Sequence, residues 1–206
     1  SVDCNPMVLY YSPQMFKELN LEDPQELFEK GEWTWDKFDE ICSVLQENGK
    51  SGLIQNGDNI RLYNWVFANG GTVWDGETYK FDDKAKEAFL YVCERLKDGR
   101  FVYGGTLPDG QGEDAMFMSR QVGFIGAGRW LTKTFHEEGI DFDYIPYPSK
   151  DGTQYSPAQV CCGYLSVNAN SEHIEEAMKF ASFYCGTQGQ EARIQGVGTS
   201  VPSVKT

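Results

Sequence analysis

The chain has 206 residues, 40% of them apolar and 24% charged, which is the composition of an ordinary globular protein with a sizeable core. Its formal net charge of −13 and its lack of any basic run argue against a nucleic-acid partner, because phosphate binding depends on clustered Lys and Arg. No uninterrupted apolar stretch is long enough to cross a bilayer. The abrupt ends of the sequence lead us to expect a piece of a longer chain.

Apolar periodicity predicts strands that alternate with helices along most of the chain. Strands are expected over residues 7–11, 52–55, 121–126, 142–148 and 164–168. Helices are expected over residues 36–45 (with Thr34 as N-cap), 60–68, from Asp82 or Asp83 to Gly99, 113–118, and from Ser171 to Tyr184. A small hairpin is expected between residues 72–74 and 79–81, and a turn-rich tail from Gly186. The alternation predicts an α/β layer architecture with a mixed sheet flanked by helices.

Apolar stripes on these elements predict where the core lies. One core is expected to contain Phe38, Ile41, Phe89, Val92, Val122 and Phe124. A second stripe, on the helix after Ser171, consists of Ile174, Ala177, Met178, Ala181 and Tyr184. Because such a stripe is costly to leave in water, this helix is expected to pack inward on the same body or on a second copy of the chain.

The six cysteines are expected to be mostly free thiols. Three of them lie within apolar helical patterns, where a free Cys behaves as a small hydrophobic residue: Cys42, Cys93 and Cys185. Cys161 and Cys162 are adjacent, which makes a bridge between them awkward, and Cys4 stands near the start of the sequence. None has the spacing of a zinc site, so no metal is predicted.

Few residues are suited to catalysis. The two histidines, His136 and His173, are expected to be solvated. The sequence has no G-x-S-x-G nucleophile elbow, and no Gly-Lys-Ser/Thr motif follows the glycines of residues 104–112. Paired acids such as Glu137 and Glu138 fall on helices or solvated turns. We therefore predict no catalytic residue, no cofactor and no enzymatic activity.

A set of aromatic and polar residues near glycine turns suits a polar ligand instead. Aromatic faces bind the apolar side of a sugar ring, and charged or amide groups bind its hydroxyls. The set consists of Tyr63, Trp65, Trp74, Trp130 and Tyr164, with Asn56, Asp58, Asn59, Arg61 and Arg129. Trp65 has the helical periodicity of a core residue. Trp130 follows a predicted strand across small residues, and ligands of open α/β sheets gather at such strand ends, although a core position is the alternative for this Trp.

The order of several short motifs resembles the extracellular solute-binding proteins of the sugar-binding group, to which maltose-binding protein belongs. These motifs cover nearly all of the chain: residues 9–16 (LYYSPQMF), 33–38 (WTWDKF), 67–71 (FANGG), 81–85 (FDDKA), 117–130, 164–180 and 196–202. Each motif is modest alone, and the series in this order is what carries the resemblance.

The resemblance implies one lobe of a type II periplasmic-binding-protein fold, a clam of two α/β lobes that closes about a hinge on its solute. Residues 1–160 would form the second lobe, residues 161–198 would cross toward the first lobe, and residues 199–206 would approach the next hinge. The implied function is non-catalytic binding of a polar solute, in the first place a carbohydrate, for delivery to an ABC transporter permease. The implied location is extracytoplasmic, in the periplasm or lipid-anchored at the outer face of the cell membrane.

By the same resemblance, Trp130 is the clearest cleft residue, with Arg129 beside it. Four other residues expected at the site lie in a loop and at the start of the helix that follows it: Asp58, Asn59, Arg61 and Tyr63. Two more, Tyr164 and Asn5, lie where the chain would cross between the lobes. Two other functions stay open from the sequence: a glycoside hydrolase-type enzyme fragment and a protein-interaction domain. Self-association of the chain is a further expectation.

Overall fold

The fold consists of seven strands and nine α-helices over the residues that the computed structural model describes, which are 1–108, 111–153, 158–196 and 201–204. The strands are β1 Asp3–Pro6, β2 Val8–Tyr11, β3 Ser51–Gln55, β4 Phe101–Tyr103, β5 Val122–Ala127, β6 Asp143–Ile145 and β7 Val160–Gly163. The helices are α1 Pro13–Glu18, α2 Pro24–Glu29, α3 Trp35–Glu47, α4 Asn59–Ala68, α5 Asp83–Lys97, α6 Glu113–Met118, α7 Thr132–Glu137, α8 Ile174–Cys185 and α9 Thr187–Gly196.

Five strands form one mixed sheet in the order β4-β3-β5-β2-β6. β3, β4 and β5 run parallel, while β2 pairs antiparallel with both β5 and β6. Helices connect the parallel strands, as a parallel sheet requires. The mixed sheet flanked by helices that the sequence predicts is therefore confirmed. We refer to β2–β6 with α1–α7 as the body.

The body has an apolar cluster on each face of the sheet. The larger cluster joins Phe38, Trp65 and Phe124, and the smaller one joins Phe117 and Phe135. The single predicted core is correct for Phe38, Ile41, Val92 and Phe124. It is wrong for Val122, which packs in the smaller cluster, while Phe89 is only partly buried against the larger one.

Side-chain caps fix where the main helices of the body begin. Thr34 Oγ1 accepts a hydrogen bond from Lys37 N at 3.2 Å, as its predicted role as N-cap requires. The sequence left Asp82 and Asp83 as alternative N-caps of α5. The structure shows that Asp82 is the cap, because its Oδ1 accepts a hydrogen bond from Ala85 N at 2.7 Å. Gly99 follows that helix with φ of +81°, a left-handed conformation that favours glycine at a helix end.

A second group of elements lies outside the five-stranded sheet, and we call it the crossing region: β1, β7, α8 and α9. β1 pairs antiparallel with β7 in a separate two-stranded sheet. β1 is separated from β2 by one residue, so the chain enters the body from this two-stranded sheet. α9 packs on α8.

Several predictions for the crossing region are wrong. The last predicted strand, 164–168, is irregular, and the strand lies just before it at β7. Ser171 does not cap α8; its Oγ accepts from His173 N, and the helix begins at Ile174. Of the tail expected to be turn-rich, Thr187–Gly196 form α9, while residues 197–200 and 205–206 lie outside the described residues. Within α9 the buried Gln190 hydrogen-bonds to Cys185 O and to Ser203 N.

The inward stripe predicted for α8 is not buried on the same body. Ile174 is 44% exposed and Met178 is 54% exposed, and no residue of the helix is fully buried. The second alternative, a second copy of the chain, stays a prediction. In the body, the predicted hairpin is reduced to one bridge between Trp74 and Tyr79, and the strand expected over 142–148 is only three residues long. Of the helices described, none is long and apolar enough to traverse a membrane.

Candidate functional site

The carboxyl ends of β3, β4 and β5 meet at one edge of the sheet, and a cavity of about 330 Å³ lies there. Each parallel strand contributes the residue or turn that follows it, namely Asn56, Gly104 and Trp130. Leu107, Glu113 and Asp114 complete much of the wall. Ligands of open α/β sheets bind outside the carboxyl ends of their strands, so the topology itself marks this cavity as the candidate site.

Glu113 provides the main charged group of the cavity. Its Oε2 accepts a hydrogen bond from Asn56 Nδ2 at 2.8 Å, and its Oε1 pairs with Arg61 Nη2. Burial raises the pKa of Glu113, and the charge of Arg61 opposes that shift. The carboxylate is therefore held by two neighbours in one orientation, with its remaining lone pairs available to a ligand.

Arg61 is fixed in turn by the start of α4 and the end of β5. Its Nη1 donates to Asp58 Oδ2 at 2.7 Å, and its Nε donates to Gly126 O at 2.9 Å. Asp58 also caps α4 by accepting from Arg61 N at 2.9 Å. Burial lowers the pKa of Arg61, but Glu113 and Asp58 outweigh it, and the pKa is raised overall. The chain from Asp58 through Arg61 thus positions Glu113 for the cavity.

Trp130 provides the aromatic part of the cavity lining. It lies in a 3₁₀ turn, Arg129–Leu131, directly after β5. One part of its half-buried side chain packs against the smaller apolar cluster of the body. A Cβ on Gly128 would lie 2.1 Å from Trp130 Cζ3, so only glycine permits this position of the indole. Trp130 therefore packs on the smaller apolar cluster and also lines the cavity, and its role as a site residue stays a prediction.

The other residues that the sequence proposes for the site are spread more widely. Arg129 Nε is buried and has no hydrogen-bond partner among the described residues. Asn59 is exposed beside Asp58 at the first position of α4. Tyr63 is half-buried and packs against Phe67, with ring centroids 6.2 Å apart.

Asn5 and Tyr164 belong to the crossing region. Asn5 is buried in β1, and its Oδ1 accepts from Val201 N at 3.2 Å. Tyr164 is 74% exposed just after β7, and neighbouring Cys162 raises its pKa. The structure thus brings Asp58, Arg61 and Trp130 to one edge of the sheet, and it does not bring Tyr164 or Asn5 into the lining of this cavity.

Glu113 is the residue that the sequence reasoning missed. Its signal was present, since it follows a glycine-rich loop and opens a short predicted helix. Asn56 was noticed but not placed at the site. A Cβ on Gly104 would lie 1.7 Å from Asn56 Oδ1, which shows how closely the β4 turn approaches that amide. Among the described residues, no group of three or more His, Cys, Asp or Glu is arranged to hold a metal ion.

Comparison with solved structures identifies the class of fold. The ABC substrate-binding protein Lmo0181 from Listeria monocytogenes, in complex with cycloalternan, is 20% identical with a TM-score of 0.77, over 99% of this chain and 52% of that chain. Maltose-bound MalE3 of T. maritima is 17% identical with a TM-score of 0.75, over 98% and 53%. The GacH receptor of Streptomyces glaucescens is 16% identical with a TM-score of 0.72, over 97% and 51%. This likeness defines one lobe of a periplasmic-binding-protein fold, and the chain spans about half the length of these structures.

The family follows from the sequence of the chain itself. Residues 2–191 match the model of the bacterial extracellular solute-binding proteins. The chain therefore belongs to that family, and the resemblance inferred from its motifs is confirmed. No curated protein sequence gives a match to this chain.

Proposed function

We propose that this chain binds a carbohydrate without catalysis, as one lobe of a receptor that delivers the sugar to an ABC import permease. The observation that carries the proposal is the cavity at the carboxyl ends of three parallel strands, which is lined by both Trp130 and Glu113. Family membership supports a solute-binding role, and the named structural relatives were solved with cycloalternan, maltose or acarbose.

The aromatic and the polar residues of the cavity lining suit the two chemical characters of a sugar. The indole of Trp130 offers an apolar face to the C–H side of a pyranose ring. Glu113, Asp114 and Asn56 offer oxygen and amide groups to its hydroxyls. The volume of about 330 Å³ lies at the lower end of the range for small-molecule sites, as expected when a second lobe contributes the rest. Arg129 and Asn59, beside these residues, are proposed to contact the solute at the rim.

A hydrolytic role is the less favoured alternative. Glycoside hydrolysis needs two carboxyl groups that flank the scissile bond from its two sides. Among the described residues, the carboxylates that line the cavity are those of Glu113 and Asp114, which are consecutive at the start of α6. This placement favours hydrogen bonding to hydroxyls over bond cleavage, and the family is one of solute-binding proteins. We therefore propose that the receptor is not an enzyme.

The division of the chain follows from the same proposal. We propose that residues 1–160 form the second lobe, that 161–198 cross toward the first lobe, and that 199–206 approach the next hinge. The exposed apolar side chains of α8, which include Phe180 and Phe183, support this division because they need a covering surface. We propose that the first lobe covers them in the longer protein. Asn5 and Tyr164 would then contact solute only from the hinge side of the closed cleft.

The proposed location is outside the cytoplasm, either in the periplasm or on the outer face of the membrane through a lipid anchor. The family of extracellular solute-binding proteins supports this location. A receptor at that position can release its sugar to a permease, which is the partner that the proposal requires.

Trp130→Ala in the full-length protein tests the proposed function. A thermal-shift screen with maltose, acarbose and cycloalternan first finds a sugar that raises the melting temperature, since a ligand stabilises the state that it binds. Isothermal titration of that sugar then compares the variant with wild type. We expect a loss of affinity of about thirtyfold, which corresponds to about 2 kcal/mol for an aromatic anchor. Trp74→Ala is the matched control, because Trp74 is 47% exposed and does not line the cavity, and its affinity should not change.

The melting temperature separates a binding role from a packing role. If Trp130→Ala melts far below wild type while its folded fraction binds sugar normally, Trp130 is a core residue and the site assignment is wrong. Cleavage of any glycoside by the wild-type protein would support the hydrolase instead.

A further inference from the structure

Cys4 and Cys162 stand opposite each other on the two strands of the small sheet. The register of β1 and β7 pairs Cys4 with Cys162, and it pairs the adjacent Asn5 with Cys161. The Sγ atoms of Cys4 and Cys162 are 3.3 Å apart, and both residues are partly accessible. Nothing in the sequence indicates this pair, because the two residues lie 158 positions apart.

The hydrogen bonding of β1 shows which kind of cross-strand pair this is. Cys4 N donates to Val201 O at 3.0 Å, so its amide points away from β7. Met7, the residue after β1, donates from its N to Gln159 O at 2.9 Å, and Gln159 is the residue before β7. Residues 4 and 162 therefore form a pair without mutual backbone hydrogen bonds, the arrangement in which opposite Cα atoms are closest, at about 4.5 Å. That spacing falls within the range that a disulfide spans.

We propose that Cys4 and Cys162 form a disulfide that joins β1 to β7, the strands through which the chain enters and leaves the body. A bond at this place would keep the two strands paired while the rest of the crossing region bends. It would also close most of the chain into one covalent loop, which lowers the entropy of the unfolded state. The proposal does not depend on which solute the lobe binds.

The chemistry needs an oxidant, and a small disulfide supplies it. The thiolate of one cysteine attacks a sulfur of oxidised glutathione, and one glutathione thiolate leaves. The second protein thiolate then attacks the protein sulfur of this mixed disulfide and expels the second glutathione thiolate. The two cysteines lose two electrons and two protons in total, and oxidised glutathione gains them as two thiols. An extracytoplasmic location would be permissive for this bond.

Cys161 provides a matched control one residue away. Successive side chains of a strand point to opposite faces of the sheet, so Cys161 faces away from the side on which Cys4 and Cys162 meet. Its pKa is raised by burial. A reaction that merely reflects accessible thiols would treat Cys161 and Cys162 alike, whereas the proposed bond requires Cys162.

The experiment compares the 206-residue chain with its C4S, C162S and C161S variants. Each protein is treated with oxidised glutathione and alkylated, and its peptides are then mapped by mass spectrometry without reductant. Wild type and C161S should yield a peptide pair joined through Cys4 and Cys162, and C4S and C162S should not. Oxidation should raise the melting temperature of wild type and C161S by about 5–15 °C and leave that of C4S and C162S unchanged. Far-UV circular dichroism checks that all four proteins are folded.

Three results would overturn the proposal. One is oxidised wild type, folded by circular dichroism, without the Cys4–Cys162 peptide pair. Another is loss of that pair in C161S. The third is a bond that forms between two chains, which runs as a dimer on a non-reducing gel.

Discussion

In the body, Trp65, Phe38 and Phe124 are buried completely, whereas in α8 of the crossing region Phe180 is 60% exposed and Phe183 is 55% exposed. The body places its large side chains on both faces of a five-stranded sheet and covers them with helices. The crossing region contains a two-stranded sheet and two helices, and no residue of α8 is fully buried. The body therefore covers its own large apolar side chains, whereas α8 leaves its apolar side chains exposed in this chain.

The bonds that hold the two regions also differ in kind. The crossing region is tied by polar groups: Gln190 Nε2 donates to Cys185 O at 2.8 Å and to Ser203 Oγ at 2.9 Å, and Arg193 Nη1 donates to Val2 O at 3.0 Å. In the body, some polar groups orient aromatic residues that are buried in the apolar clusters. Trp65 Nε1, for example, donates to Gln55 Oε1 at 3.0 Å. Hydrophobic burial therefore stabilises the body, and specific hydrogen bonds position the crossing region.

The largest expected effect is a loss of stability on substitution in the body. Trp65→Ala removes a fully buried indole that packs against Phe38 and Phe101, and it should lower the free energy of unfolding by about 3–5 kcal/mol. Phe183→Ala, in α8, should change it by less than about 0.5 kcal/mol, because that ring is 55% exposed. Urea denaturation of the 206-residue chain measures both. Similar losses of unfolding free energy in the two variants would contradict the difference in packing between the two regions.

The next largest effect is expected on local unfolding of the crossing region. Gln190→Ala leaves buried groups of α9 and its neighbours without partners, at a cost of about 1–3 kcal/mol. Amide hydrogen exchange should become at least about tenfold faster in α9 and stay unchanged in β5. Gln188→Ala is the control, since Gln188 is exposed two residues earlier in α9. Faster exchange in β5 as well would mean that the two regions unfold together.

The smallest effect concerns association through α8. The exposed apolar residues of α8, which we call its open face, are Ile174, Met178, Phe180 and Phe183. Phe180→Ser removes an aromatic side chain from this face, and it should weaken self-association of the chain by about tenfold, which corresponds to about 1.4 kcal/mol. Leu90→Ser, on α5 of the body, is the control, since Leu90 is equally exposed at 63% but stands outside that face. Sedimentation equilibrium measures both variants. A chain that is monomeric at all concentrations would show that the open face of α8 takes no second copy.

The sequence by itself determined most of the body. The periodicity of α3, α4 and α5 and the cap Thr34 are local features, and local features are readable because a helix is set by residues three and four apart. The order of short motifs was enough to identify the family, since each motif marks one element of the fold. It also pointed to Trp130 and Arg61, because strand ends and glycine turns leave a local signature.

Only the tertiary structure decided what depends on distant segments. Val122 joins the smaller cluster, and Tyr164 lies in an irregular stretch after β7, because sheet pairing and packing override a short apolar run. Glu113 joins Asn56 and Arg61 although more than fifty positions separate it from either, and no sequence period relates them. The same is true of Cys4 and Cys162, which face each other only because β1 and β7 pair in one register. Contacts of this kind follow from the arrangement of the strands, and that arrangement is a property of the whole fold.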